Sequence, residues 1–116
     1  EKALKESDRV ENLFWSELRI PGEADTLNVE LEKALRLLDF IEIGRLMAYD
    51  ALNREESCGG HFRSEHQTEE GEALRHDDEF AYAAVWEYKG EDVEPELTKE
   101  DLVYEFTHRA QRNYKD

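Results

Sequence analysis

Four residues in the middle of the chain could bind a metal ion or take part in catalysis: Cys58, His61, His66 and His76. Cys58 and His61 have a C-x-x-H spacing, but structural zinc sites use two ligand pairs and the sequence shows one. Cys58 could also be a nucleophile paired with His61 or His66, although the dipole of the helix predicted before it opposes a thiolate. A turn with unrelated histidines explains the pattern better. We therefore predict no metal site and no catalytic residue.

The glycine pair and the acidic clusters are also weak candidates for chemistry. Gly59 and Gly60 follow a predicted helix, whereas a phosphate-binding loop precedes one. We expect them to end the helix, with one glycine in the left-handed conformation. Two acidic clusters lack calcium-loop spacing and are expected to be solvated: Glu69, Glu70 and Glu72, and residues 77–79.

Composition limits the classes of partner. The 116 residues suffice for one domain, and the net charge of −15 argues against binding to nucleic acid or to an anionic membrane surface. A single cysteine excludes an internal disulfide, and no apolar run is long enough to cross a membrane. Because the chain starts at Glu1 with an amphipathic pattern already under way, we expect it to be a fragment of a longer protein.

Hydrophobic periodicity predicts two long helices in the first half of the chain. The first is expected over residues 2–19, ended by Pro21 and Gly22. The second should begin between residues 25 and 28 and run to about Asn53, with acidic residues in its first turns. It is apolar on two sides, so one helix cannot cover it and a further partner is expected. The two sides are Leu35, Leu38, Ile41 and Leu46, and Leu37, Phe40, Ile43 and Met47.

A polar loop with a short helical turn and then a β-hairpin are predicted for the second half. Alternation predicts a strand over residues 80–88, an acidic loop over 89–101 and a second strand over 102–108. Tyr104 and Phe106 are expected to share one covered face with Tyr82 and Trp86. The predicted fold class is α+β, mainly α: an antiparallel helical bundle, with two long helices in this chain, followed by the hairpin.

The segment after the second helix resembles a family signature. Succinate dehydrogenase and fumarate reductase flavoprotein subunits carry R-x-E-S-R-G-x-H after a long apolar helix. The matching residues here are Arg54, Glu56, Ser57, Gly59 and His61, followed by Arg63. An R-x-D-D-x-x-[FW] element is matched by Arg75, Asp77, Asp78 and, with looser spacing, Phe80, and a closing R-x-Y by Arg112, Asn113 and Tyr114. Cys58 departs from the pattern, because the family usually has arginine there.

The resemblance implies that residues 1–116 form the single C-terminal domain of such a subunit. Its parts would be a helical hairpin (1–53), the signature loop and short helical turn (54–79), and a β-hairpin with a basic tail (80–116). The six signature residues from Arg54 to Arg63 would lie at the interface with the flavin-binding domain. This chain would hold no catalytic residue and no cofactor.

The same resemblance implies the setting of the parent protein. The parent would carry FAD, interconvert succinate and fumarate, and pass electrons to an iron-sulfur subunit. The complex would be anchored on the cytoplasmic side of the inner membrane, without insertion of this chain. The alternatives are the C-terminal domain of L-aspartate oxidase, and an independent acidic interaction or metal-binding module.

Overall fold

The computed structural model describes residues 1–91 and 93–111. The chain divides into two compact units, Glu1–Asn53 and Arg54–Asp116. The first unit contains helices α1 (Lys2–Glu17) and α2 (Val29–Asn53). The second contains the short helix α3 (Asp77–Phe80) and the strands β1 (Tyr82–Glu87) and β2 (Glu96–Asp101). The predicted class, helices followed by an antiparallel hairpin, is confirmed.

Local sequence signals set the helix ends in the first unit. Helix α1 ends at Glu17, two residues before the end predicted from the pattern, and Leu18 after it has an extended backbone. Asn28 caps α2, since its side-chain oxygen accepts hydrogen bonds from the N–H groups of Glu30 and Leu31, both at 3.1 Å. The amide of Asn28 also donates to the carbonyl of Pro21 at 3.0 Å, which fixes the connection before the helix. The predicted start and end of α2 are confirmed.

One stripe of α2 is covered by its neighbour α1. The stripe is formed by Leu31, Ala34, Leu38 and Ile41, and Ala34 is its most buried member. Arg45, late in α2, lies 3.4 Å from Asp8 and 3.9 Å from Glu11, both early in α1. These ion pairs and the shared stripe define an antiparallel helical hairpin.

The opposite side of α2 lies open within this unit. Phe40, Ile43 and Met47 follow one another at helical spacing, and between 57% and 68% of each residue's surface is exposed. A single helix therefore covers only part of α2, as the two apolar sides in the sequence predict.

The hairpin pairs β1 with a segment other than the predicted one. Trp86 faces Leu97, Ala84 faces Lys99, and Tyr82 faces Asp101. Residues 102–108 form no strand, and Phe106 is 89% exposed, so the predicted second strand and its shared face are wrong. The alternation is confirmed within β1, where Tyr82, Ala84 and Trp86 are the covered residues. The predicted strand over 80–88 is too long at both ends, because Phe80 ends α3 and Tyr88 is 73% exposed.

Contacts of the nearer segment explain this register. Leu97 supplies the apolar partner for Trp86, and the ammonium of Lys99 lies 4.4 Å from the centre of the Tyr82 ring. Lys89 closes the other end of the hairpin, with its Nζ 2.9 Å from Glu87 and 2.7 Å from Glu96. One apolar residue and well-placed charges thus add side-chain contacts to the main-chain pairing of β2.

Two small bridges shape the loop that precedes α3. Cys58 and His61 exchange main-chain hydrogen bonds of 2.8 and 3.0 Å around Gly59 and Gly60, and a second bridge joins Gln67 to Ala73. Gly59 has φ of +58° while Gly60 has no positive φ, as in a type II′ turn. The expectation that the glycines end the helix is therefore wrong, because α2 ends at Asn53 and the pair forms a hairpin turn. None of the helices among the described residues combines the length and apolarity needed to span a bilayer.

Candidate functional site

A buried ion pair lies at the centre of the signature segment. Glu56 is 2% exposed, and its Oε1 accepts a hydrogen bond from Arg54 Nη1 at 2.6 Å. Its other oxygen, Oε2, accepts from the backbone N–H of His76 at 3.0 Å. Both carboxylate oxygens are thus paired, which is the condition under which a buried charge is tolerated. Glu56 ties the start of the loop to the residue that precedes α3.

Arg54 connects the same loop to α3 and β1. Its guanidinium donates to the carbonyl of Phe80 at 3.1 Å and to the carbonyl of Tyr82 at 3.2 Å. It also lies against the two aromatic rings, 5.7 Å from the centre of Phe80 and 5.0 Å from that of Tyr82. The planar fork of arginine allows these bonds and the stacking at once, which a lysine ammonium could not reproduce.

Ser57 and the residues after the glycine turn close the loop on itself. Ser57 is fully buried; its Oγ accepts from the N–H of Arg63 at 2.8 Å and donates to the carbonyl of Arg63 at 3.2 Å. His61 Nε2 lies 3.0 Å from the carbonyl of Arg54, and Arg63 Nη1 donates to that carbonyl at 3.2 Å. The N–H of Ser57 donates to the carbonyl of Leu74 at 2.9 Å. The segment is therefore a closed hydrogen-bonded structure.

The second family element also forms a local pair. Arg75 donates two hydrogen bonds to the carboxylate of Asp77, from Nε to Oδ1 at 2.8 Å and from Nη2 to Oδ2. Its Nη1 donates to the carbonyl of Ala110 at 3.0 Å. The hydrogen bonds from Arg75 hold the pKa of Asp77 below its ordinary value, and the nearby charge of Arg109 lowers it further. Arg109 donates to the carbonyl of Asp77 at 2.7 Å. Residues 109–111 thereby lie along the start of α3.

Outside these pairs, two histidines meet in the same unit. His66 Nδ1 and His76 Nε2 are 3.0 Å apart, and the rings are nearly perpendicular with centres 5.0 Å apart. Across the described stretches 1–91 and 93–111, no three His, Cys, Asp or Glu side chains converge on one point. Cys58 is exposed, and its main chain pairs with His61 in the glycine turn.

Neither the glycine pair nor the start of α2 offers a helix N-terminal cradle to a cofactor phosphate. Gly59 and Gly60 join two hydrogen-bonded residues instead of leading into a helix, so their N–H groups do not form a helix N-terminal phosphate cradle. At the start of α2, the N–H groups of Glu30 and Leu31 are already occupied by the side chain of Asn28. The hydrogen bonds of Arg54, Glu56 and Ser57 hold charge, main-chain orientation and loop shape.

All six signature residues lie in this closed structure, but they differ in exposure. Glu56 and Ser57 are buried, Arg54, His61 and Arg63 are half-buried, and Gly59 is exposed at the turn. The predicted R-x-Y element at 112–114 lies outside the described residues. The sequence reasoning missed the acceptors of Arg54, because Phe80 and Tyr82 contribute their carbonyls. It also missed the contact of Lys99 with the Tyr82 ring, although a lysine within an acidic stretch was a signal for it.

Comparison with known proteins identifies the family. The family described as "Fumarate reductase flavoprotein C-term" matches residues 1–114, nearly the whole chain. Neither curated proteins nor solved structures give a significant match. The matched range includes α1, α2, the signature loop and the hairpin, and it agrees with the resemblance seen in the residues from Arg54 to Arg63. The chain belongs to the C-terminal domain family of the succinate dehydrogenase and fumarate reductase flavoprotein subunits.

Proposed function

We propose that this chain supports the FAD-binding domain of a flavoprotein subunit that interconverts succinate and fumarate. The family match over residues 1–114 carries the proposal, since it names the C-terminal part of such a subunit. Bound FAD in the parent subunit would accept or supply the hydride, and an iron-sulfur subunit would exchange the electrons. We place the complex at the cytoplasmic side of the inner membrane, held by a membrane anchor. The role of this chain is to hold its neighbour in place.

The open side of α2 supports this role. Phe40, Ile43 and Met47 form an apolar surface, and more than half of each residue stays exposed within the unit Glu1–Asn53. Full burial of one such side chain stabilises by about 1.5–3 kcal/mol, so the fractions still exposed correspond to roughly 1–2 kcal/mol each. Together they could contribute about 3–6 kcal/mol to docking on the flavin-binding domain.

The turn of the signature loop supplies a second surface for the same neighbour. Cys58, Gly59 and Gly60 are exposed, and Phe62 keeps 53% of its surface free. The buried pair of Arg54 and Glu56 fixes the base of this loop. A rigid base with an exposed apolar side chain at its end loses little conformational entropy on docking.

The proposal is tested by placing a charge on the open side of α2 in the full flavoprotein subunit. Phe40→Asp is expected to lower the ratio of bound flavin to protein and the melting temperature, because the carboxylate must be desolvated at the interface. Phe40→Leu keeps the apolar character and is the first control. Glu42→Asp introduces aspartate at an exposed position of the same helix, so it controls for helix propensity.

The same preparations separate the proposal from its alternatives. Normal flavin loading and melting of Phe40→Asp would remove the docking role of this surface. Dye-linked oxidation of succinate is expected, whereas oxidation of L-aspartate in its place would assign the parent to the L-aspartate oxidases.

A further inference from the structure

We propose that His66 and His76 form a binding site for one divalent transition-metal ion, with zinc and copper as the best-suited ions. The two imidazoles face each other with His66 Nδ1 and His76 Nε2 3.0 Å apart. His66 follows the residues from Arg54 to Arg63 that match the signature, and His76 occupies the variable position of the R-x-D-D element. Because both ligands lie in one unit of this chain, the inference does not depend on the proposed function.

Main-chain hydrogen bonds hold both histidines in place before any ion binds. The N–H of His66 donates to the carbonyl of Arg63 at 3.0 Å, and its carbonyl accepts from Leu74 at 3.1 Å. His76 donates its N–H to Glu56 and accepts at its carbonyl from Glu79 and Phe80, at 3.0 and 2.9 Å. The two segments that carry the ligands are thus fixed on both sides. An ion would bind at little cost in backbone ordering.

The spacing of the two nitrogens is close to that of neighbouring metal ligands. With zinc–nitrogen bonds of about 2.0–2.1 Å, two nitrogens at the tetrahedral angle lie about 3.3–3.4 Å apart. At a right angle they lie about 2.9 Å apart. The observed 3.0 Å falls between these values, and turning each facing lone pair about 35–45° away from the line that joins the two nitrogens aims both at one ion.

Binding requires no net release of a proton from the neutral pair. In the hydrogen-bonded pair one facing nitrogen carries hydrogen and the other is the acceptor. The ion takes both facing lone pairs when the donor ring moves its hydrogen to its remote nitrogen. That tautomer is the usual one for a metal-bound imidazole.

The ligand set selects the kind of ion. Neutral imidazoles suit zinc, copper and nickel, whereas magnesium and calcium prefer oxygen ligands. Within the described residues no third side chain joins the two histidines, so water would complete the coordination. Both imidazoles are half-buried, which leaves one side of the pair accessible. The site is therefore an exchangeable one, and copper should bind more tightly than zinc.

The first experiment counts zinc in the full flavoprotein subunit by calorimetric titration. The unsubstituted protein is expected to bind one more Zn²⁺ than either His66→Asn or His76→Asn. Asparagine retains hydrogen-bonding capacity, which favours folding of both variants. His108→Asn is the matched control, since His108 is exposed and lies outside the pair, and it should bind as the unsubstituted protein does. Equal zinc binding by the unsubstituted protein and either paired-histidine variant would overturn the proposal.

A second measurement needs no substitution and so does not depend on the folding of a variant. Cu²⁺ added at one equivalent to the oxidised subunit is expected to give an electron paramagnetic resonance spectrum with coupling to two imidazole nitrogens. Because copper binds more tightly, zinc is added first in large excess, and it should then suppress binding of that copper at least tenfold. A spectrum without nitrogen coupling, or one unaffected by this excess of zinc, would show that the pair is a structural hydrogen bond and not a metal site.

Discussion

Replacement of Glu56 by glutamine tests whether the buried pair holds the signature loop. In the full subunit, Glu56→Gln leaves an amide where both carboxylate oxygens now accept hydrogen bonds, from Arg54 and from the N–H of His76. One of those donors must then face an N–H group. A hydrogen bond to a charged group contributes about 1.5–3 kcal/mol, and an unsatisfied buried donor costs about 1–3 kcal/mol. Since Arg54 keeps 19% of its side chain exposed, water relieves part of this cost, and we expect a loss of about 2–4 kcal/mol.

The assay is amide hydrogen exchange of peptides covering residues 54–82. A loss of about 2–4 kcal/mol in local stability accelerates exchange by roughly 30- to 700-fold, at tenfold per 1.4 kcal/mol. Arg54→Ala, which removes the same pair and two bonds to carbonyls, should accelerate exchange at least as much. Both variants should also lower flavin content if the loop contacts the flavin-binding domain.

The chain contains a matched control for this experiment. Arg63 and Glu65 form the same Arg-x-Glu pair at 2.7 Å, but the Glu65 side chain is 55% exposed against 3% for Glu56. Glu65→Gln should leave exchange unchanged, because solvent screens the pair. Equal effects of the two Glu→Gln variants would refute the argument that burial makes the Arg54–Glu56 pair important.

Two further predictions concern the glycine turn and α3. Gly59→Ala should destabilise the Cys58–His61 bridge by about 1–2 kcal/mol, because the φ of Gly59 is +58°. Gly60→Ala should be neutral, because Gly60 has no positive φ and the space for a methyl group is open at both positions. Hydrogen exchange of the Cys58 and His61 amides distinguishes the two variants. Hydrogen bonds from Arg75 keep the folded pKa of Asp77 below its ordinary value. The ionised Asp77 therefore contributes its full stability above about pH 3.9, and this contribution is lost as the pH falls through the folded pKa. Asp77→Asn should therefore make acid unfolding, followed by circular dichroism, less steep in that range, and an unchanged acid transition would contradict this assignment.

Helices could be predicted from the sequence because their signals are local. Asn28 caps α2 with its own side chain, and the segment at Pro21 and Gly22 separates the helices. The second strand could not be placed in the same way. Large apolar residues alternate from Leu102 onward, but the segment that pairs with β1 places Leu97 opposite Trp86 and the Lys99 ammonium against the Tyr82 ring. A cross-strand contact of this kind leaves no periodic pattern.

In the signature loop, the side chains could be predicted from the sequence but their main-chain partners could not. A sequence motif identifies Arg54, Glu56 and Ser57, but the main-chain carbonyls that Arg54 binds belong to positions whose residue type carries no such signal. Backbone acceptors occur at every residue, so only the fold selects which ones are used. The predicted interface role of the loop therefore stays a prediction, whereas its internal bonding follows from the structure.

Cys58 stands where the family pattern that this chain resembles has arginine, and it contributes to the loop through its main chain. It is exposed at the glycine turn, and its contribution to the bridge with His61 comes from its N–H and carbonyl, which any residue except proline supplies. The neighbouring Glu56 and Ser57 are buried and use their side chains, so substitution there breaks bonds within the loop. A change of side chain at position 58 thus leaves the two main-chain bonds of the glycine turn in place.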